Sequence, residues 1–207
     1  MKKLFSILVG IFFISTLQLS CQYSNSNSPN VANLKNGDVI FQVSTSGQGK
    51  AIQLATGSKL THCGIVFIEN GVPIVYHAVD PVQKTKAKDF IARGENGKYW
   101  VKRLNRKLSD EEIKKMKEYA VLQLGKRYDL RFMWSDNKMY CSEYVWKIYN
   151  KGTGISVGSP KKLKEYSTDN PITQGIMKKR YGKNVPWEES MISPGDIFSC
   201  KELVNTN

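Results

Sequence analysis

Histidine is scarce in this sequence: His62 and His77 are the only two among 207 residues. Any chemistry that needs an imidazole must use one or both of them. Cysteine is also sparse, and Cys21, Cys63, Cys141 and Cys200 form no C-x-x-C pair and flank no histidine pair at zinc-ligand spacing. That pattern argues against a structural metal site, and neither a metal nor a cofactor is expected. Acidic residues are few, 18 against 31 Lys and Arg, which leaves a formal charge of +13. The surplus favours anionic partners. No recognised nucleic-acid-binding motif accompanies it, so nucleic acid is not the expected partner. No internal repeat is visible. What is present is ordinary for a globular chain: 41% hydrophobic and 11% aromatic residues suffice for a core and exclude wholesale disorder. The length suits one domain with appendages.

The first appendage is an address. Lys2 and Lys3 precede an apolar run from Leu4 to about Leu19, which is short for a spanning helix and ends in small and polar residues. Residues 1–20 therefore read as a signal peptide, and the protein as exported to the cell envelope. Cys21 at the junction resembles the lipidated cysteine of bacterial lipoproteins, which implies membrane attachment through the N-terminus; the alternative is ordinary cleavage with a free Cys21. Residues 21–33 are rich in Ser and Asn and read as a flexible tether. The domain is expected over residues 34–207.

Hydrophobic periodicity places the elements. DVIFQV (38–43) reads as a buried strand and 49–55 as a short helix. GIVFIE and VPIVYHAV, separated by Asn70-Gly71, read as a two-residue hairpin, and KYWVKRL (98–104) as another strand. Ser109 opens a capping box with Glu112; the helix it starts is expected to run to Leu124, with Ile113, Met116, Ala120 and Leu124 on one stripe and Gly125 as its stop. A second helix is expected from Cys141, with Val145, Ile148 and Tyr149 on its apolar face. The basic tail from Lys161 to Lys183 reads as a partly helical solvated face. MISPGDIFS is expected to supply a last strand.

The chemistry concentrates on three residues. A two-residue turn at Asn70-Gly71 pairs Glu69 with Val72, Phe67 with Ile74, Ile65 with Tyr76 and Gly64 with His77. His62 and Gly64 share a face, so His77 becomes the diagonal neighbour of His62, with Gly64 leaving room between them. A register slip would instead make them two unrelated core histidines. Cys141 falls at a helix start, where unpaired amides and the macrodipole favour a thiolate. In an exported protein the alternative is a disulfide with Cys63 or Cys200. Cys63 alternates with His62 and is expected to face away from the chemistry.

The segments carrying these residues resemble pieces of the NlpC-type cell-wall endopeptidase superfamily in rearranged order. Gly37-Asp38-Val39-Ile40, Thr61-His62-Cys63-Gly64-Ile65 and Tyr76-His77-Ala78 come first; Gly125-Lys126-Arg127-Tyr128-Asp129 and Tyr140-Cys141-Ser142-Glu143 follow. That order is a circular permutation and resembles the YiiX-like branch of permuted papain-like proteins from Asn36 to Phe198. The resemblance implies an α+β fold, an antiparallel sheet or open barrel packed against helices. It further implies Cys141 as nucleophile, His62 as general base and then acid, His77 as the group orienting His62, and Tyr128 beside the nucleophile as an oxyanion donor. Tyr128 also admits a plainer reading as a packed aromatic. Two positions depart from the pattern: Arg127 replaces a proline, and members of the branch carry glutamate where this chain has His77.

The expectation is thus an exported cysteine amidase or endopeptidase acting on a peptide or amide substrate, with peptidoglycan fragments the obvious class for the superfamily. The alternatives are a lipid-directed acyltransferase or thioesterase and a catalytically silent binding module. A long apolar tunnel beside Cys141 would favour lipid; an open groove with charged ends would favour peptide.

Overall fold

The computed structural model describes residues 30–45 and 48–206. The leader, Cys21 and most of the tether lie outside them. Eight strands and six helices follow in chain order: β1 (Val39–Ser44), α1 (Gly49–Thr56), β2 (His62–Glu69), β3 (Val72–His77), β4 (Gln83–Lys86), α2 (Ala87–Ala92), β5 (Gly94–Leu104), α3 (Asp110–Leu122), α4 (Cys141–Thr153), β6 (Lys161–Lys162), α5 (Pro171–Tyr181), β7 (Ser190–Met191), α6 (Pro194–Phe198) and β8 (Leu203–Asn205). Six strands form one sheet in the order β4-β3-β2-β1-β5-β8, and every neighbouring pair is antiparallel. The sheet is open rather than closed into a barrel.

Strand alternation divides the core into two layers. Val39, Phe41, Cys63, Ile65, Phe67 and Tyr76 face one way, packed with Met116 and Ala120 of α3 and with Tyr144, Val145, Ile148 and Tyr149 of α4. Ile40, Val66 and Val75 face the other way, against Ala87, Phe90 and Ile91 of α2. Burying both faces explains why β1 and β2 read as nearly continuous apolar runs. The neighbouring strands β1 and β5 are tied at one end by Asp38, whose fully buried carboxylate receives Arg103 Nε at 2.6 Å and NH2 at 2.8 Å.

The hairpin has the register a two-residue turn dictates: Ile65 opposite Tyr76, Phe67 opposite Ile74 and Glu69 opposite Val72. Asn70 and Gly71 both take positive φ, 49° and 77°, as the turn requires. The capping box of α3 is present, with Ser109 Oγ accepting from the Glu112 amide and Glu112 accepting from that of Ser109.

Four boundaries differ from expectation. α3 ends at Leu122, because Gln123 and Leu124 turn back by short i to i−3 bonds onto Ala120 and Val121. β5 reaches back to Gly94, and the segment before it, which lacks a clean hydrophobic period, supplies β4 and α2. MISPGDIFS is mainly helix: Ser193 and Asp196 cap each other's amides and Pro194 occupies the first turn, a helix start that outweighs the β-rich flank. The last strand of the sheet is β8 instead.

Candidate active site

The hairpin brings the two histidines together. His62 Nε2 stands 2.9 Å from His77 Nδ1, and His77 Nε2 stands 2.9 Å from Thr85 Oγ1 of β4. Gly64 makes the approach possible: a Cβ there would lie 2.5 Å from Val75 Cγ1 and 3.0 Å from His77 Cβ. Phe90 of α2 stacks on the His62 ring at 5.5 Å between centroids and meets the His77 ring edge-on at 5.2 Å. Burial, reinforced by the charges of His62 and Arg93, pushes His77 down to about 2, so it remains a neutral imidazole. A neutral ring has one acceptor nitrogen and one donor. With His77 Nδ1 accepting from His62 Nε2–H and His77 Nε2–H donating to Thr85, every group in the chain is matched. The remaining nitrogen of His62, Nδ1, is left for a proton partner.

That partner is Cys141, the first residue of α4. Its thiol is held well below the ordinary thiol range, first by a hydrogen bond from the Cys63 side chain and then, against the opposing effect of burial, by the hydrogen bond and charge of His62. The helix start adds its dipole. Cys63 is pushed the other way by burial and by its negative neighbour, so it stays a thiol that donates to the Cys141 thiolate. The Tyr128 hydroxyl bonds the same sulfur, and burial followed by the Cys141 charge keeps it a phenol. Cys141, His62, His77 and Tyr128 are therefore in one place. Cys63, Cys141 and Cys200 are free thiols, which removes the disulfide alternative among them.

The position of Cys63 corrects the sequence reading. It does alternate with His62 and join the core face of Ile65 and Phe67, but that face is the one α4 covers, so Cys63 meets the N-terminus of α4. A period-2 pattern identifies the face and not the element that packs on it. Thr85 and Phe90 were also missed, since a polar QKTK strand and a six-residue helix carry little periodic signal. The turn before Tyr128 is held without the usual proline: Arg127 Nε and NH2 clasp Asp80 at 2.6 Å and 2.8 Å, and Asp80 Oδ1 accepts the Tyr128 amide at 3.2 Å.

The helix carrying the nucleophile is anchored by buried charge. Glu143, fully buried, accepts from Lys147 Nζ at 2.8 Å and from the Tyr140 amide at 3.3 Å. Desolvation outweighs these bonds and raises Glu143 to about 7.

Two cavities meet at the site. Cys141 opens into a pocket walled mainly by apolar residues of α1, α5 and the turns beside them, such as Ile52, Phe132, Leu163, Met177 and Ile192. His62 opens into a shallower cleft that also exposes Ser44, Gln48 and Asp80. Ile52, Thr61 and Tyr128 line both. The basic tail contributes here as well: Lys178 and Lys179 are exposed as expected, but Arg180 lines the apolar pocket.

An open antiparallel sheet with a cysteine at a helix start, facing histidine on the neighbouring strand, defines a cysteine hydrolase of papain type. Residues 33–205 match the family model described as "Permuted papain-like amidase enzyme, YaeF/YiiX, C92 family", and the chain belongs to that family. It is 48% identical over 167 residues to the uncharacterized protein YiiX of Escherichia coli K12, covering 81% of this chain and 83% of that one. It is also similar to a crystal structure titled as metalloprotein YiiX from Escherichia coli O157:H7, with a TM-score of 0.81 and 47% identity over 84% of this chain and 96% of that one. Among the described residues of the present chain, no three His, Cys, Asp or Glu side chains converge as metal ligands.

Proposed function

We propose that this amidase hydrolyses an amide whose acyl side is apolar, by way of a thioester on Cys141. The observation that carries the reading is the division of space at the site: the sulfur faces a pocket walled almost wholly by apolar surface, and the imidazole faces a mixed cleft in which Ser44, Gln48, Thr61 and Asp80 stand among apolar residues. An acyl group belongs on the first side and a departing amine on the second. The Cys141 thiolate attacks the carbonyl carbon, and the developing oxyanion takes hydrogen bonds from the Cys141 amide and the Tyr128 hydroxyl. His62 Nδ1–H protonates the nitrogen as the C–N bond breaks. Water then attacks the thioester, His62 Nδ1 receives its proton, and the acid leaves with the thiolate restored. His77 fixes the tautomer and orientation of His62 throughout.

The leader, Cys21 and the polar tether support an exported enzyme lipid-anchored in the cell envelope. Acylated amphiphiles and peptidoglycan stem peptides are both substrates such an enzyme would meet. The apolar wall beside Cys141 favours the amphiphile. Incubating the chain with N-decanoyl-p-nitroanilide and with a purified stem peptide tests the assignment. Release of p-nitroaniline by the native chain and none by Cys141→Ala is expected; cleavage of the stem peptide alone would overturn the apolar reading. Radioactive fatty-acid labelling that disappears in Cys21→Ser is expected for the anchor, and labelling that persists would remove it.

A further inference from the structure

The apolar pocket contains one cation that no carboxylate contacts directly. Arg180, in the last turn of α5, donates to Gln48 Oε1 and lies 4.4 Å from the centre of the Phe132 ring. Among the described residues no carboxylate forms an ion pair with it, although ten other such pairs are present. Asp129, the carboxylate whose charge Arg180 feels, spends both oxygens on backbone amides, Oδ1 on Arg131 and Oδ2 on Met133, at 2.8 Å and 2.7 Å. Burial weakens the charged form of the guanidinium. A partly desolvated cation with no carboxylate in direct contact carries a cost that a ligand anion relieves.

The placement of Arg180 says where that anion sits. The guanidinium side chain lines the pocket that holds Cys141, while its bond to Gln48 reaches the cleft that holds His62. Tyr128, which bonds the nucleophile, lines both and feels the Arg180 charge. Arg180 therefore stands on the pocket side of Tyr128, with its Gln48 partner on the cleft side. We infer that Arg180 is a specificity-determining residue that binds a free carboxylate on the amine side of the scissile amide, so that the substrate is an N-acyl amino acid. A single guanidinium matches one carboxylate in charge and in its paired donors. The same chemistry occurs in an acylated amino acid and at the C-terminus of a peptide. The inference rests on the proposed acyl and amine sides of the site.

Binding to the full chain carrying Cys141→Ala separates the possibilities by calorimetry. The probes are N-decanoylglycine and N-decanoylglycinamide, with N-acetyl-leucylglycine and its amide as the peptide pair and N-acetylglycine as the short-chain control. In the pair that binds, the acid is expected to bind about tenfold or more tightly than the amide, the usual worth of one charge-assisted hydrogen bond. Adding Arg180→Met should bring acid and amide together, and Arg180→Lys should keep part of the preference. Equal binding of acid and amide to the Arg180 chain, or a preference that survives Arg180→Met, would overturn the role of Arg180 while leaving the apolar reading intact. N-acetylglycine binding as well as N-decanoylglycine would overturn the apolar reading alone, and no binding of any probe at millimolar concentration would overturn both. A thermal midpoint for Arg180→Met at or above that of the parent chain is expected, since the variant removes a partly buried charge that no carboxylate contacts.

Discussion

His62 Nε2 and His77 Nδ1 lie 2.9 Å apart, joined across a hairpin whose register is set by a turn at Asn70-Gly71. The bond makes His77 an acceptor that holds His62 in one tautomer. A carboxylate serves the same purpose, so His77→Glu is expected to stay active: it accepts from His62 and from the Thr85 hydroxyl. His77→Leu retains bulk without an acceptor and, by comparison with triads whose third member is lost, is expected to cost on the order of 10²- to 10⁴-fold in turnover. Turnover and thermal midpoint for the two variants check this. An active, stable leucine variant beside a dead or unfolded glutamate variant would remove His77 from the mechanism.

Cys141 is expected to be the thiol that alkylates in the folded domain at mildly acidic pH, because it alone is shifted down while burial raises Cys63 and Cys200. The largest cause of its shift is the Cys63 thiol. Cys63→Ala should therefore move the pH midpoint of Cys141 alkylation upward, read by mass spectrometry after brief iodoacetamide pulses. An unmoved midpoint would mean that His62 and the helix start suffice.

Gly64→Ala is expected to destabilise the domain by about 1–3 kcal/mol. The added methyl would meet Val75 Cγ1 at 2.5 Å and the Tyr76 carbonyl at 2.9 Å, and the backbone atom cannot rotate away. It would also press on His77, so activity should fall further than the loss of stability explains. Denaturant titration and turnover measured well below the melting transition separate the two effects.

Glu143 predicts a pH dependence of stability. Its folded value is about 7 against an ordinary 4.5, so between those values the folded state holds a proton that the unfolded state has lost. Stability from this group is full below 4.5 and falls as pH rises toward 7. Glu143→Gln keeps an acceptor for the Tyr140 amide and removes the titration. The difference in stability between native chain and variant should therefore shift in favour of the variant across that window. Glu69 and Glu112, both lowered to about 2, act below it, and the opposing rise from His77, lowered from 6.5 to about 2, is common to native chain and variant and cancels in their difference. A constant difference from pH 4.5 to 7 would show that the carboxylate does not titrate there.

The hairpin and the start of α4 were legible in sequence because local rules decide them. A two-residue turn fixes strand register, alternation fixes faces, and helical spacing after Cys141 fixes where its helix buries its side. His62, His77 and Cys141 follow from those rules, supported by the order of motifs that resembles the permuted papain-like branch. The MISPGDIFS segment differs from its expected strand although its S-P-G-D start is also local: the Ser193 cap and Pro194 decide for helix.

Tertiary structure decided what no local pattern encodes. Whether Cys63 meets the nucleophile depends on which side of the sheet α4 covers, and alternation is silent on that. Thr85 reaches His77 only because β4 pairs with β3, a polar strand recognised by its partner rather than by its own residues. Arg180 sits in a run of lysines and arginines that reads as solvated, and folding α5 against α1 turns that one cation inward while its neighbours remain in water. The sequence by itself determined the strands, the nucleophile's helix and the histidine pair, because each rests on contacts a few residues apart. The walls of the pocket, and the unpaired charge set in them, arise from segments more than a hundred residues apart, and only packing brings them together.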